Sequence, residues 1–583
     1  MRLIEIRLLE GPNVYRLEPV VKVEVAVGRR RSWYGQRDPG RHSLVRLGAS
    51  VPRRLWPEPV LTLTGWARRL RAEHGEGIGG IRAHRSSDPG HWIVTWPWAG
   101  AERARLIAEA SVALVDRAAT PAHRARLTGS QQRLLDAWSE RIRGASTTPP
   151  PWIRDADRHI PIISISGTNG KSTTTRLLTR ILLQAGRHVG TTTSDGVLVD
   201  ERMVDEGDWT GPGGAHEILR RGDVDVAVLE TARGGMVLRG VGYESNDASI
   251  LTNVTSDHLD LQGIHTLPEL AEVKATICRI TKPDGWVILN ADDPLVRAVS
   301  RTVRSRVALF TLRGSDSGPV RRHLAAGGRA YLVRRGDLGE AEGTTWTPIA
   351  AVRDIPITMA GLARHNIANA LAATAGARAL GVTIDEARTG LLAFRPTSTE
   401  SPGRTNVFRN GNRVAIIDFA HNEAGLSVLM DLAEGIAGGA GGRVTPITVV
   451  IGTAGDRPDD TLRGLGQIAA VRAQRIAIKE TQRYLRGRSR ESVVGELRAG
   501  AMAGGWTEDI PVYESEAVAL GAELNGAGAT DGARPDAARI VVLLCHEDRD
   551  GVFALLERLR FRPVETTAEL IGLVPRLDDR SSR

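Results

Sequence analysis

A chain of 583 residues, 41% of them hydrophobic, is too long for a single core and calls for about two to four water-soluble domains. The formal net charge of +9 comes mostly from arginine, which admits an acidic polymer, nucleic acid or a phosphorylated substrate as partner, or no more than an arginine-rich composition. No apolar run reaches the roughly 20 residues that a membrane-spanning helix needs, and the two cysteines, Cys278 and Cys545, lie in no CxxC or Cys/His spacing that would suggest zinc. They read as buried thiols. The N-terminus MRLIEIRLLEGPN alternates and carries charge, like a strand and unlike a signal peptide, so a cytoplasmic location is the default expectation.

Residues 1–145 read as an α+β domain. HWIVTWPW alternates as a strand does, and AERARLIAEASVALVDRAA repeats apolar residues at helical spacing. This block and its edge hold eight of the twelve tryptophans, either as core or, together with the basic run Arg29, Arg30 and Arg31, as a surface for a polyanionic chain. The proline-rich stretch ASTTPPPW, residues 145–152, reads as a linker. The block from 146 to 398 follows an α/β pattern: PIISIS, DVAVLE, ASILTN, WVILN and VALFT are short buried strands, and a helix runs from Ser172 to Gln184. The block from 399 to 583 alternates VAIIDFA, PITVVIG, RIAIKE and RIVVLLC with helices, a smaller doubly wound domain, with GIAGGAGGR and NGAGATDGARPD as surface loops.

The strongest local signal is Gly167-Thr168-Asn169-Gly170-Lys171-Ser172-Thr173, placed between a strand and a helix. Glycines allow successive backbone N–H groups to converge on phosphate oxygens, and the helix N-terminus adds partial positive charge. Lys171 is positioned to reach the β- and γ-phosphates, and the Ser172 hydroxyl to ligate magnesium. The pattern departs from a full GxxxxGK[ST] at Ile165, where glycine would stand. By itself the loop does not separate a ligase from a GTPase, a kinase or a motor ATPase.

The segments downstream of the loop are more specific. GTTTSDG (190–196), GDWTGPGGA (207–215), LETARGGM (229–236), TNVTSDHLDLQG (252–263), NADDP (290–294), RHNIANALAA (364–373), PGR (402–404), DFAHNEAG (418–425), GDR (455–457) and IKETQRYLRGR (478–488) form a series that resembles the Mur ligase superfamily. In detail it resembles the Mur-type half of the cyanophycin synthetases. The resemblance spans roughly residues 155 to 560 and, more weakly, the N-terminal segment LEGPNVY (9–15) and the helix near Ala101 to Ala119. It implies an α/β fold: a Mur-ligase-like P-loop central domain and a Rossmann-like C-terminal domain, preceded by a small α+β N-terminal domain. It also implies an ATP-dependent ligase that makes an acyl phosphate from a carboxylate and lets an amine displace the phosphate.

Residue by residue, the resemblance assigns Lys171 to the γ-phosphate. Ser172 and Glu230 go to a first magnesium, with Thr193 and Ser194 as nearby hard oxygens for magnesium or substrate. His258 goes to a second magnesium. Lys274 matches a lysine carbamylated in several Mur ligases; unmodified, it would contact substrate or phosphate. Asn290, Asn366 and Asn369 are assigned to the adenine end, Arg404 to the γ-phosphate and Asp418 to the ribose, with His421 and Asn422 beside them as substrate contacts. Lys479, Glu480, Arg486 and Arg488 resemble a substrate-binding segment in which a carboxylate would pair with a guanidinium. The linker leaves no room for the ATP-grasp domain that cyanophycin synthetases carry between these parts. The implied reaction is therefore addition of an amino acid, arginine in that family, to an acidic peptide or polymer, with a separate ATP-grasp-containing synthetase as a partner and a homo-oligomer as the family precedent. Two other readings stay open: a non-catalytic scaffold on the same fold, and a basic P-loop ATPase acting on nucleic acid, for which no binding motif is present.

Overall fold

The computed structural model describes residues 1–28, 48–77, 79–117, 127–256, 259, 261–438, 445–526 and 537–571. Arg29, Arg30, Arg31, Trp33 and His258 lie outside the described residues, as do most of the two glycine-rich loops.

The N-terminal domain is a four-stranded antiparallel sheet in the order Arg2–Leu9, Val20–Ala26, His91–Pro97, Arg82–Arg85. β-Branched and aromatic residues fill its strands, and the helices Glu58–Glu73 and Ala101–Arg117 pack on it. Trp56, Trp66, Trp92, Trp96 and Trp98 belong to its core, so the tryptophan richness of this block is mainly packing. The linker does not hang free. Ala101 N donates to Thr148 O (3.0 Å), and Ile153 forms a parallel bridge with Tyr243. The segment Leu9–Tyr15 docks on the central domain through Glu10 N to Arg239 O (2.6 Å) and Val241 N to Pro12 O (2.7 Å). Gly11 makes that approach possible, because a Cβ there would lie 1.9 Å from Val241 O.

The central domain holds an eleven-stranded sheet. Seven parallel strands run in the order Arg329–Arg334, Arg306–Thr311, Thr281–Asn290, Asn246–Leu251, Ile162–Ser166, Val226–Glu230, Val189–Thr192. Antiparallel strands extend it at both edges. Helices Lys171–Gln184, Arg364–Ala379 and Ile384–Ala393 cover one face. A second cluster that includes Leu270, Ile277 and Val296 covers the other. Burial on both faces explains why these strands read as continuous apolar runs.

The C-terminal domain is a seven-stranded sheet. Its parallel strands lie in the order Val512–Tyr513, Arg475–Lys479, Ile447–Ile451, Arg539–Leu544, Arg413–Asp418, followed by antiparallel Asn406–Asn410 and Arg562–Pro563. This is the Rossmann-like arrangement. Both cysteines are buried free thiols, and burial pushes Cys278 up to about 12. No helix among the described residues is long and apolar enough to cross a membrane.

His84 shows what burial does to a titrating group here. It is buried in the N-terminal sheet, with Nε2 3.1 Å from Thr95 Oγ1 and its ring 5.0 Å from Tyr15. Burial holds its pKa down at about 4. The unfolded chain takes up this proton near 6.5 and the folded chain only near 4, so stability falls as pH drops through that window. Urea unfolding of the full chain at pH 7 and pH 5, read by tryptophan fluorescence, should show His84→Asn less stable than wild type at pH 7. The variant should lose about 1–2 kcal/mol less than wild type on acidification. Parallel pH profiles for the two proteins would refute the assignment.

Candidate active site

Strands Ile162–Ser166 and Val226–Glu230 are hydrogen-bonded neighbours and end side by side at the C-terminal edge of the sheet, where α/β proteins bind ligands. The loop Gly167–Gly170 leaves the first of them, and Gly170 caps the helix Lys171–Gln184 with φ +84°. A Cβ at Gly167 would stand 1.9 Å from Thr252 Oγ1, and one at Gly170 2.3 Å from Asn369 Oδ1. The loop is braced from one side by Thr252–Thr255. Thr168 N donates to Asn253 O (2.9 Å), Asn169 N to Asn253 Oδ1 (2.9 Å), and Thr252 Oγ1 to Asn169 O (2.7 Å). Lys171 Nζ curls back on Thr168 O at 2.9 Å, and Lys274 Nζ reaches Gly167 O at 2.6 Å from the helix Leu267–Lys274.

Glu230 is 3% exposed and its Oε2 has no hydrogen-bond partner. Burial pushes its pKa above the usual carboxylate range, against the pull of Lys171, a hydrogen bond with Ser172 and the charge of Arg404. A buried, half-satisfied carboxylate beside two serine hydroxyls, with Ser172 Oγ and Ser194 Oγ 3.5 Å apart, is a set of hard oxygens that suits a divalent cation. Thr193 is different: its hydroxyl accepts from the N–H groups of Asp195 and Gly196 and closes a turn.

The C-terminal domain closes the other side of a cleft of about 970 Å³. Arg404 Nη2 lies 3.5 Å from Ser172 Oγ and 3.4 Å from Ser194 Oγ, with its guanidinium 4.6 Å over the Phe419 ring. Asp418 lines the cleft, and its carboxylate accepts from Thr405 N (2.6 Å) and Ala420 N (2.7 Å). His421 lines it as well. Asn422 caps the helix Glu423–Ala437 and exchanges amide hydrogen bonds with Asn169 across the domain boundary, at 3.2 and 3.4 Å. At the expected adenine end, Asn290 and Asn369 line the cleft. Asn366 sits one layer behind, donating to Ile357 O and accepting from Asn369 Nδ2 (both 3.0 Å), so it orients Asn369.

Of the six residues expected to bind substrate, the four in the run from Lys479 to Arg488 separate in the structure. Only Arg486 lines the cleft, paired with Asp456, whose Oδ1 is buried without a partner. Glu480 pairs with Arg490, and Arg488 with Asp459. Lys479 is 0% exposed: its Nζ bonds Glu516 Oε1 (2.7 Å), Thr481 Oγ1 (3.2 Å) and His546 Nδ1 (3.1 Å). Burial disfavours the Glu516 charge, but Lys479 and the His546 backbone N–H hold its pKa down at about 2. Sequence reasoning passed over Thr252 and Asn253, which brace the loop, although both stand in a motif it singled out. It also passed over Asp195, Phe419, Arg549 and His546. Asp195 and Phe419 stand in the motifs GTTTSDG and DFAHNEAG, and the strand end before HEDRD is the signal that could have drawn attention to His546 and Arg549.

A glycine-built loop between a strand and a helix, an unsatisfied buried carboxylate beside two hydroxyls, and an arginine from the C-terminal domain thus meet in one cleft. Residues 165–377 match the Mur ligase middle domain. The chain is 41% identical over 341 residues to the cyanophycin synthetase of Trichormus variabilis, across 58% of this chain and 37% of that enzyme. It is 27% identical over 359 residues to the UDP-N-acetylmuramoyl-L-alanyl-D-glutamate–2,6-diaminopimelate ligase of Corynebacterium efficiens, across 60% of this chain and 62% of that one. The chain thus spans well under half the length of the cyanophycin synthetase it matches. Among solved structures, a bifunctional folylpolyglutamate synthase/dihydrofolate synthase with Mn, AMPPNP and L-glutamate bound superposes with a TM-score of 0.49 at 18% identity, over 69% of this chain and 89% of that one.

Glu230 yields a test independent of turnover. Its folded pKa is raised, so its ionisation costs stability as pH rises above the unfolded value of about 4.5. In chelator-treated protein, Glu230→Gln should raise stability by about 1–2 kcal/mol at pH 8 and leave it unchanged near pH 4. The same variant should lose the stabilisation that wild type gains from added divalent cation, measured by thermal unfolding. A variant still stabilised by the cation would remove Glu230 from the metal site.

Proposed function

We propose that this chain is an ATP-dependent amide ligase that activates a carboxylate as an acyl phosphate and joins it to the amine of an amino acid. The observation that carries this reading is the meeting of Lys171, Ser172 and the unsatisfied Glu230 of one domain with Arg404 of another at a single glycine-built loop. A simple phosphate-binding loop needs no second domain. Transfer of a phosphoryl group to a carboxylate, with water kept away from a labile mixed anhydride, benefits from a cleft that two domains close. The similarity to cyanophycin synthetases and Mur ligases supports the same class.

In this reading the backbone N–H groups of Gly170 to Ser172 cradle the ATP phosphates, and Lys171 leaves Thr168 O to neutralise the γ-phosphate. Arg404 stabilises the charge that spreads over the transferring group. Asn290 and Asn369 hold the adenine end, and Asp418 the ribose. Lys274, fixed on Gly167 O, sets the loop's height and faces the cleft from the acceptor side. Magnesium bound by Ser172, Ser194 and Glu230 would supply further charge neutralisation at the phosphates. The acceptor carboxylate attacks the γ-phosphorus and ADP departs. The amine then attacks the acyl carbon, and phosphate leaves as the amide bond forms. We assign the acceptor to an acidic peptide or polymer and the amine to an amino acid such as arginine. Backbone extension would fall to a separate ATP-grasp-containing synthetase.

The assay is phosphate release from MgATP with each of the twenty amino acids against β-aspartyl and polyaspartate acceptors, with products weighed by mass spectrometry. Release that requires both an amine and a carboxylate, with a condensed product, is the expected result. Lys171→Ala should lower it by more than about a hundredfold without lowering the melting temperature. Near-wild-type turnover in that variant would exclude the loop mechanism. ATP binding without condensation of any pair would favour a scaffold, and ATP turnover stimulated by nucleic acid would favour the basic ATPase.

A further inference from the structure

Asp195 follows the turn that carries Ser194, and its carboxylate is buried where the phosphate-loop helix, the interdomain hinge and the C-terminal domain converge. Arg176, on the helix Lys171–Gln184, donates Nη2 to Asp195 Oδ2 at 3.0 Å. Arg549 opens the C-terminal-domain helix Arg549–Arg558 and donates Nη1 to Asp195 Oδ1 at 2.8 Å. A single carboxylate therefore ties the two domains together beside the phosphate loop.

The same arginines grip the hinge. Arg549 Nη1 also reaches Pro402 O at 3.2 Å, and a Cβ on Gly403 would come within 2.9 Å of Arg549 Cδ, so the arginine stem lies against the turn that presents Arg404. On the opposite side, Arg176 Nη1 donates to Glu400 O (3.3 Å), and Arg180 pairs with the Glu400 carboxylate at 3.3 Å. Residues 400–404 are thus held from both domains.

Arg404 is left over. No ion pair to a carboxylate is seen for it among the described residues, its Nε is buried without a partner, and its contacts to the serine hydroxyls are long. A half-buried guanidinium whose hydrogen-bonding capacity is met only by long hydroxyl contacts can still take up an incoming anion, although the carboxylates of Asp195 and Glu230 act on it at longer range. Asp195 and Glu230 both interact electrostatically with Arg404, but both Asp195 oxygens already accept hydrogen bonds from Arg176 and Arg549.

We propose that Asp195 and Arg549 form a clasp that closes the C-terminal domain on the phosphate loop and keeps Arg404 unpaired for an incoming triphosphate. Both are positioning residues and touch no substrate. The identity of the anion as ATP rests on the ligase reading.

The test uses the full chain and a double-mutant cycle of Asp195→Asn, Arg549→Gln and both together, with Arg549→Lys as the conservative variant. MgATP affinity is measured by calorimetry, and steady-state phosphate release is followed in parallel. Each single change should weaken ATP binding about tenfold and lower kcat further, the double variant should be little worse than either single, and Arg549→Lys should recover part of the loss. Small-angle scattering should show the Arg549→Gln protein more extended than wild type. Wild-type affinity in the single variants, additive losses, or losses fully explained by a lowered melting temperature would each overturn the clasp while leaving the ligase reading intact. If wild type binds ATP but ligates nothing, the ligase reading fails and the binding cycle alone decides the clasp. If wild type binds no ATP, both fall.

Discussion

The buried carboxylate of Glu230 sets the terms for the site. An ionised oxygen held in the interior without a partner costs free energy that the rest of the fold must offset. The sheet puts it there because strand Val226–Glu230 pairs in register with Ile162–Ser166, bringing the carboxylate level with the first residues of the phosphate loop. The offset comes from two apolar clusters that sandwich the central sheet and from Lys171 and Arg404, whose charges lower the penalty without removing it. The result is a cleft that holds an unsatisfied carboxylate and an arginine with only long hydroxyl contacts close together.

The two flanking domains serve that centre in different ways. The N-terminal domain is fastened through Gly11 and its neighbours to the segment Arg239–Tyr243, and a second contact joins Ser87 and Asp88 to Glu269 and His265. Glu269 completes the capping box, with Thr266 as N-cap, of the helix that ends in Lys274, so the domain braces the element whose lysine rests on Gly167 O. The C-terminal domain instead presents its strand ends. The loops after Asp418 and Leu544 carry Phe419 and His546, whose rings meet edge-on at 5.1 Å. His546 is kept neutral by burial and by the nearby charge of Lys479, and its Nε2 lies 2.9 Å from Ala420 O. The buried Lys479–Glu516 pair thereby becomes a support under the cleft's edge. A buried pair of this kind is strongly destabilised by loss of one partner and contributes more to geometry than to net stability.

The substrate segment shows where a linear reading goes astray. Lys479, Glu480, Arg486 and Arg488 form one charged run in the sequence, but only Lys479 lies on a strand and the other three follow in the turns after it, so they do not share one direction. Lys479 ends the strand facing inward, Glu480 turns to Arg490, and the chain reaches the cleft only at Tyr484 and Arg486. Asn366 and Asn369 divide for a related reason. Although one helical turn apart, only one faces the cleft, and the other spends its amide on positioning it.

By itself the sequence determined the α/β alternation, the glycine loop between a strand and a helix and the resemblance to Mur ligases, because each is written in local periodicity or in contiguous motifs. The tertiary structure decided which of those motifs share a cleft, that Glu230 keeps an unsatisfied oxygen, that most of the N-terminal tryptophans are core, and that Asp195 joins residues 19 and 354 positions away. Those facts depend on strand order and on which face of an element a residue occupies. Burial, unpaired charge and interdomain contact arise only once distant segments exclude water from one another, and no local pattern of residues encodes that exclusion.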